Sequence, residues 1–167
     1  GVMVHTDRGA ERFDDVVLAC HTDQSLALLA DADAAERNVL GRIRYQNNRV
    51  VLHTDASVLP RHPRAWAAWN YESRSSSGTA SASGNDAVCL HYLINQLQPL
   101  PWRTPVIVSM NPARPVRDDC VLGQWDYTHP VFDRAAVQAQ GELEGIQGRS
   151  HVWFCGAWTR YGFHEDG

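Results

Sequence analysis

The chain has 167 residues, 44% apolar and 20% charged, with a net charge of −4. Such a composition fits a soluble globular protein with a core of its own. The negative balance gives no electrostatic reason to expect nucleic acid or an anionic membrane as partner, and no apolar run reaches the roughly 18 residues that span a bilayer.

The first predicted element is a β-hairpin. Val2–His5 alternates, Arg8 and Gly9 offer a turn, and residues 13–20 (FDDVVLAC) carry a short apolar run that reads as a second strand buried on both faces. Thr22 or Asp23 is placed to cap a short helix with Leu26, Leu29 and Ala30 on one side. Asp33 with Glu36 three residues on is a capping-box pattern, and Ala35, Val39, Leu40 and Ile43 follow at helical spacing. RVVLH (49–53) reads as a strand, and AWAAWNY (65–71) as another after a proline-containing loop. Residues 73–85 (SRSSSGTASASGN) lack the apolar surface to order themselves and read as a mobile loop. Further strands are expected at 88–93, at 106–110, ended by Asn111–Pro112, and at 121–127. Asp133 then caps a helix with Ala136, Ala139, Leu143 and Ile146 on one face, which Gly148 ends, and HVWFC (151–155) forms a last short strand.

These elements predict an α+β chain: a mixed, mainly antiparallel sheet with a few helices. The middle is strand-rich, whereas each end sets a short strand beside a helix. That layout predicts a sheet domain inserted into an outer one, with 1–25 and 133–167 flanking an inserted 26–132. No internal repeat is visible.

Several chemistries find no footing in the residues. Cys20, Cys89, Cys120 and Cys155 form no C-x-x-C pair and fit neither a zinc ribbon nor a disulfide scaffold, so reduced thiols and a cytoplasmic setting are expected. The eight histidines show no ligand-type spacing; His53-Thr54-Asp55 and His164-Glu165-Asp166 are among the His–acid clusters, and no metal is expected. All 15 basic residues are arginine, which removes Schiff-base lysine chemistry. There is no G-x-S-x-G elbow for a nucleophilic serine.

The most informative stretch is WFCGAWTRYGFHEDG, from Trp153 to Gly167. A strand runs into glycine, then aromatics, an acidic pair and a glycine. That order suits a strand leading to a helix N-terminus, where backbone N–H groups meet a negative group such as pyrophosphate.

The pattern FCGAWTRYGFHEDG resembles the closing flavin-binding motif of the flavin-containing amine oxidases, in particular a bacterial branch of predicted NAD/FAD-binding amine oxidoreductases. FDDVVLACHTDQSLALL, IRYQNNRVVLHTDASVLP, RAWAAWNYE and DYTHPVFDRAAVQAQGELEGIQG resemble the same branch in order along nearly the whole chain. The resemblance implies an FAD-dependent oxidoreductase whose flavin domain is discontinuous. Its first segment would carry a G-x-G-x-x-G fingerprint, which this sequence lacks, so that segment is expected outside the chain.

The resemblance also assigns residues. Val16, Val17 and Ala19 would lie on a flavin-domain strand, as core or as contacts. Gly156, Ala157 and Trp158 would pass near the pyrophosphate or isoalloxazine, and Glu165, Asp166 and Gly167 would lead into the helix N-terminus that contacts flavin. Arg49 stands where the family often has a lysine that holds a water near the flavin. An arginine there holds a water or an anion but is no base, or it is simply an exposed strand end. Trp66, Trp69, Tyr71, Trp125 and Tyr127 are either the lining of an apolar substrate pocket or the core of a small sheet. The implied substrate is a small apolar molecule or an amine. The chain alone would be inert, and its exposed strands would favour a homodimer. The competing reading is a non-catalytic module that binds a small apolar ligand or a protein partner.

Overall fold

A computed structural model describes residues 1–72 and 89–167 of the chain. The expected loop at 73–85 lies outside the described residues. The elements in order are β1 (Val2–Thr6), β2 (Gly9–Phe13), β3 (Val16–Leu18), α1 (Thr22–Leu28), α2 (Ala34–Leu40), β4 (Tyr45–His53), β5 (Trp69–Glu72), β6 (Cys89–Leu93), α3 (Ile94–Leu97), β7 (Ile107–Met110), β8 (Val121–Pro130), α4 (Arg134–Glu142) and β9 (Val152–Phe154). Helices accompany a mainly antiparallel five-stranded sheet, so the chain is α+β.

Two compact units divide it: Gly1–Gln46 with Pro130–Gly167, and Asn47–His129. The first boundary therefore falls at 46/47 rather than near residue 25. The reason is packing: Val39, Leu40 and Ile43, on and just after α2, share one core with Ala136 and Ala139 of α4, Ile146, and Val152, Phe154 and Trp158 of the chain's end. An apolar stripe at helical spacing has to be buried against something, and here the partner is α4.

Within this flanking unit the capping box forms: Glu36 N–H donates to Asp33 Oδ1 (2.8 Å) and Asp33 N–H to Glu36 Oε2 (2.7 Å). Asp133 caps α4 in the same way, accepting from the Ala136 N–H (2.9 Å). The opening hairpin differs from expectation. Its second strand is Gly9–Phe13, exposed throughout, and pairs antiparallel with β1. The apolar run forms the separate β3, which pairs in parallel with β9 in the register Val16↔Val152, Val17↔Trp153, Leu18↔Phe154. Val17 is 61% exposed, so this strand is not buried on both faces. Nor does α1 begin at a Thr or Asp cap. His21 takes the N-cap position, with its N–H donating to Gln24 Oε1 (3.1 Å).

In the other unit the strand order is β5-β6-β7-β4-β8. Pairings such as Asn70↔His91, His91↔Ser109 and Val51↔Ser109 fix which side chains share a face. Asn70, Glu72, Cys89, His91, Leu93, Ile107, Ser109, Val51 and His53 point one way, onto a core of Val58, Leu59, Leu93 and Ile107. Trp69, Tyr71, Leu90, Tyr92, Val108, Met110, Val50 and Leu52 point the other way. The expected strand at 65–71 is shortened to Trp69–Glu72, because Pro63 opens a 3-10 turn over Pro63–Ala65 that Trp66 closes.

Candidate functional site

The parallel pair β3–β9 delivers its two carboxyl ends to one place. Ala19, Cys20 and His21 follow β3, and Gly156, Ala157 and Trp158 follow β9. Together with Gln24, Tyr45 and Pro130 they line a cavity of about 150 Å³. Open parallel sheets bind ligands just beyond the carboxyl ends of their strands. His21 stacks on Tyr45 with ring centroids 4.3 Å apart, and the Tyr45 hydroxyl accepts from the Thr22 N–H (2.9 Å). Burial raises the Tyr45 pKa, so this phenol stays protonated. Sequence reasoning had singled out neither His21 nor Tyr45, since nothing local couples residues so far apart in the chain.

The six expected cofactor residues divide between backbone and core roles. Gly156 has φ 144° and ψ 165°, a conformation essentially confined to glycine, and an added Cβ would lie 2.7 Å from Trp158 Nε1. Trp158 itself is only 3% exposed and donates its indole N–H to the Cys20 carbonyl (3.1 Å). It is a core anchor rather than a free ring for stacking. Asp166 is held internally: its Oδ2 accepts from the N–H groups of Tyr161 and Phe163, both at 3.0 Å, and its carbonyl accepts from Thr159 Oγ1 (3.0 Å). These bonds fold residues 159–167 back on themselves, and a Cβ on Gly167 would lie 3.3 Å from the Ala157 nitrogen. Gly156, Ala157 and Gly167 thus converge, while Glu165 is exposed. On another side of the same unit, Phe132, Gln140, Leu143, Phe154, Arg160 and Tyr161 line an open groove of about 790 Å³.

The aromatic set is dispersed. Trp66 is partly buried against the inner core and donates its indole N–H to the Pro60 carbonyl (2.8 Å), apart from the other four. Trp69 and Tyr71 sit on edge strand β5, and Trp125 and Tyr127 on the opposite edge strand β8. With three strands between them, the two pairs stand about 19 Å apart. All four are 46–68% exposed. Asn48 meets His129 Nδ1 at 2.8 Å, which puts His129, Tyr127 and Trp125 by alternation on the Val50–Leu52 face, shared with Trp69 and Tyr71. The result is a broad aromatic sheet face rather than an enclosed pocket. Arg49 lies on β4, with its guanidinium donating to Gln124 Oε1 and its N–H to Asn111 Oδ1 (3.0 Å).

A continuous polar chain runs through the inner face of the same sheet. The Asp55 N–H donates to His53 Nδ1 (3.1 Å), so neutral His53 carries its proton on Nε2 and donates to Ser109 Oγ (2.7 Å). The Ser109 hydroxyl then donates to His91 Nδ1 (2.6 Å), and His91 Nε2–H donates to Glu72 Oε2 (3.1 Å). Burial, partly offset by the Asp55 charge and reinforced by His91, holds the His53 pKa below its usual 6.5. The order hydroxyl, imidazole, carboxylate is that of a nucleophile triad. Ser109 has no exposed surface, however, so no substrate reaches its oxygen. The sequence shows only the local end of this chain, the His53-Thr54-Asp55 cluster, because Ser109, His91 and Glu72 come from three further strands.

No known family model matches the sequence, and no curated protein matches it. Among the described residues, no helix is long and apolar enough to cross a membrane.

Proposed function

We propose that this chain is part of an FAD-dependent oxidoreductase of the amine oxidase type, and that it contributes the closing turn of the flavin domain and a substrate-facing sheet. The observation that carries this reading is the meeting of the β3 and β9 carboxyl ends, with Gly156 and Ala157 lining one small cavity and Gly167 packed against them. About 150 Å³ is less than the pocket of a drug-sized ligand, so these residues would hold one part of the cofactor, such as its pyrophosphate, and the remainder would need a glycine-rich segment from outside the chain. FAD, when bound, would supply the hydride acceptor. The chain's own contribution would be positional: the β3–β9 ends orient the cofactor, and the aromatic sheet face meets a small apolar or amine substrate. No side chain is assigned as base, and Arg49 is unsuited to that role. The protein would work in the cytoplasm, and these 167 residues alone would not turn over.

The test is an absorbance spectrum of the purified full-length gene product. Flavin bands, with FAD released on denaturation, are the expected result. A folded, colourless protein that FAD cannot reconstitute would overturn the proposal. It would favour the second reading, a non-catalytic binding module, which the exposed aromatic face and the open groove beside α4 independently recommend.

A further inference from the structure

Two adjacent strands bring three metal-binding side chains to one point. Cys89 and His91 are two residues apart on β6 and therefore share a face; Glu72 stands directly opposite Cys89 on β5. Cys89 Sγ lies 3.6 Å from His91 Nε2 and 3.7 Å from Glu72 Oε2, and the nitrogen and oxygen are 3.1 Å apart. Bonds of about 2.3 Å to sulfur and about 2.0–2.2 Å to nitrogen and oxygen, at tetrahedral angles, require ligand–ligand edges of about 3.3–3.6 Å. The two sulfur edges, 3.6 and 3.7 Å, sit at the long end of that range and the nitrogen–oxygen edge, 3.1 Å, just below it, so small side-chain shifts would seat an ion.

From this geometry we infer that Glu72, Cys89 and His91 form a zinc-class metal site, with solvent as the fourth ligand. The donor set argues for the class. Thiolate and imidazole select zinc and its neighbours in the transition series over magnesium or calcium, which take oxygen. Burial supports it: Cys89 and His91 are 2% and 1% exposed, whereas Glu72 is at the wet edge with 30% of its side chain exposed, where a water enters. The surroundings orient the ligands. Ser109 Oγ, 2.6 Å from His91 Nδ1, fixes the ring so that Nε2 faces the other two donors, the role an outer-shell partner plays for metal-bound histidine. Arg114 Nε, 3.7 Å from Glu72 Oε1, occupies the carboxylate oxygen that the metal does not use.

The proton balance is explicit. On binding, the Cys89 thiol loses its proton to solvent as the sulfur–metal bond forms. His91 stays neutral and shifts its proton from Nε2 to Nδ1, which then donates to Ser109 Oγ. The serine then accepts from both imidazoles, because the Asp55 N–H keeps His53 protonated on Nε2. The bound ion would clamp edge strand β5 to β6.

The experiment is a Co²⁺ titration of the chelator-stripped full-length protein. The expected outcome is one equivalent bound, with a thiolate-to-cobalt charge-transfer band in the near ultraviolet and tetrahedral d–d bands in the red, clear of flavin, all bleached by Zn²⁺. Cys89→Ser loses the charge-transfer band, whereas Cys120→Ser, another buried thiol, keeps it. Ser109→Ala keeps the band but weakens binding by about tenfold to 100-fold. Should Cys89→Ser not fold, zinc-edge absorption on the loaded wild type decides: one sulfur with nitrogen and oxygen neighbours supports the site, and a shell without sulfur, or with several, overturns it. Absence of the cobalt bands in the wild type, or their survival in a folded Cys89→Ser, also overturns it.

Discussion

Single residues carry two different constraints at the two sites. Gly156 holds a backbone conformation that a side chain resists, and its Cβ position is filled by the Trp158 indole. Gly156→Ala is therefore expected to cost about 1–3 kcal/mol, read as a lower urea midpoint, through strain and through displacement of Trp158 from the Cys20 carbonyl. An unchanged midpoint would mean that the turn after β9 relaxes freely. His53 is constrained by protonation. Its folded pKa is depressed below 6.5, so the fold favours the neutral ring. The sign follows from linkage: the unfolded chain takes up the proton first as pH falls, so the stability this histidine contributes is complete above about pH 6.5 and is lost as pH drops through the folded value. Urea midpoints measured from pH 8 down to pH 5 should fall below pH 6.5, and His53→Gln should flatten that fall. A slope that persists in the variant would assign it to other groups.

At the scale of elements, β9 shows how an edge is closed without a neighbouring strand. The Gln147 side chain accepts from the Phe154 N–H (2.8 Å) and donates to the Phe154 carbonyl (2.6 Å), taking the place of a strand backbone on the side away from β3. Gln147→Ala leaves both groups without these partners and is expected to lower stability by about 1–3 kcal/mol, measured by urea unfolding. Little change would show that water replaces the amide. Patterns of local origin were legible in advance. The Asp33–Glu36 box, the Asp133 cap and the stripes at Val39, Leu40, Ala136 and Ala139 need only residues within a few positions of one another. The strand at RVVLH was equally plain, since β-branched residues bounded by polar ones leave little choice. Less legible was whatever depends on distant partners. The run VVL reads as a hairpin arm until β9, far along the chain, supplies a parallel neighbour. Trp66 reads as a strand residue until Pro63 starts a turn before it. The Glu72–Cys89–His91 triangle was invisible for the same reason, because register between β5 and β6 is a property of the pair.

For the whole molecule, the unequal edges of the β3–β9 sheet have a consequence. Leu18 turns its carbonyl toward β9, where it accepts from the Cys155 N–H (3.1 Å), so by alternation Val17 turns its N–H and C=O the other way. Gln147 guards the β9 edge, and β3 is left as the edge that takes another strand. Two parallel strands of three residues are too few to stand as a sheet by themselves. On the proposed reading, a glycine-rich segment from outside the chain pairs there in the complete protein. In a protein of these 167 residues, the self-complementary solution is a second copy meeting β3 antiparallel across a two-fold axis. Sedimentation velocity should then show a concentration-dependent dimer. Val17→Pro, which removes the outward N–H, should return it to monomer with an unchanged far-ultraviolet spectrum. On the same reading, the substitution in the full-length product should leave the oligomeric state alone and reduce retained FAD, because the nucleotide-binding segment would already occupy the edge. A dimer that survives Val17→Pro would move the interface to another surface, with the aromatic face of Trp69, Tyr71, Trp125 and Tyr127 the first to test by arginine substitution at Trp69.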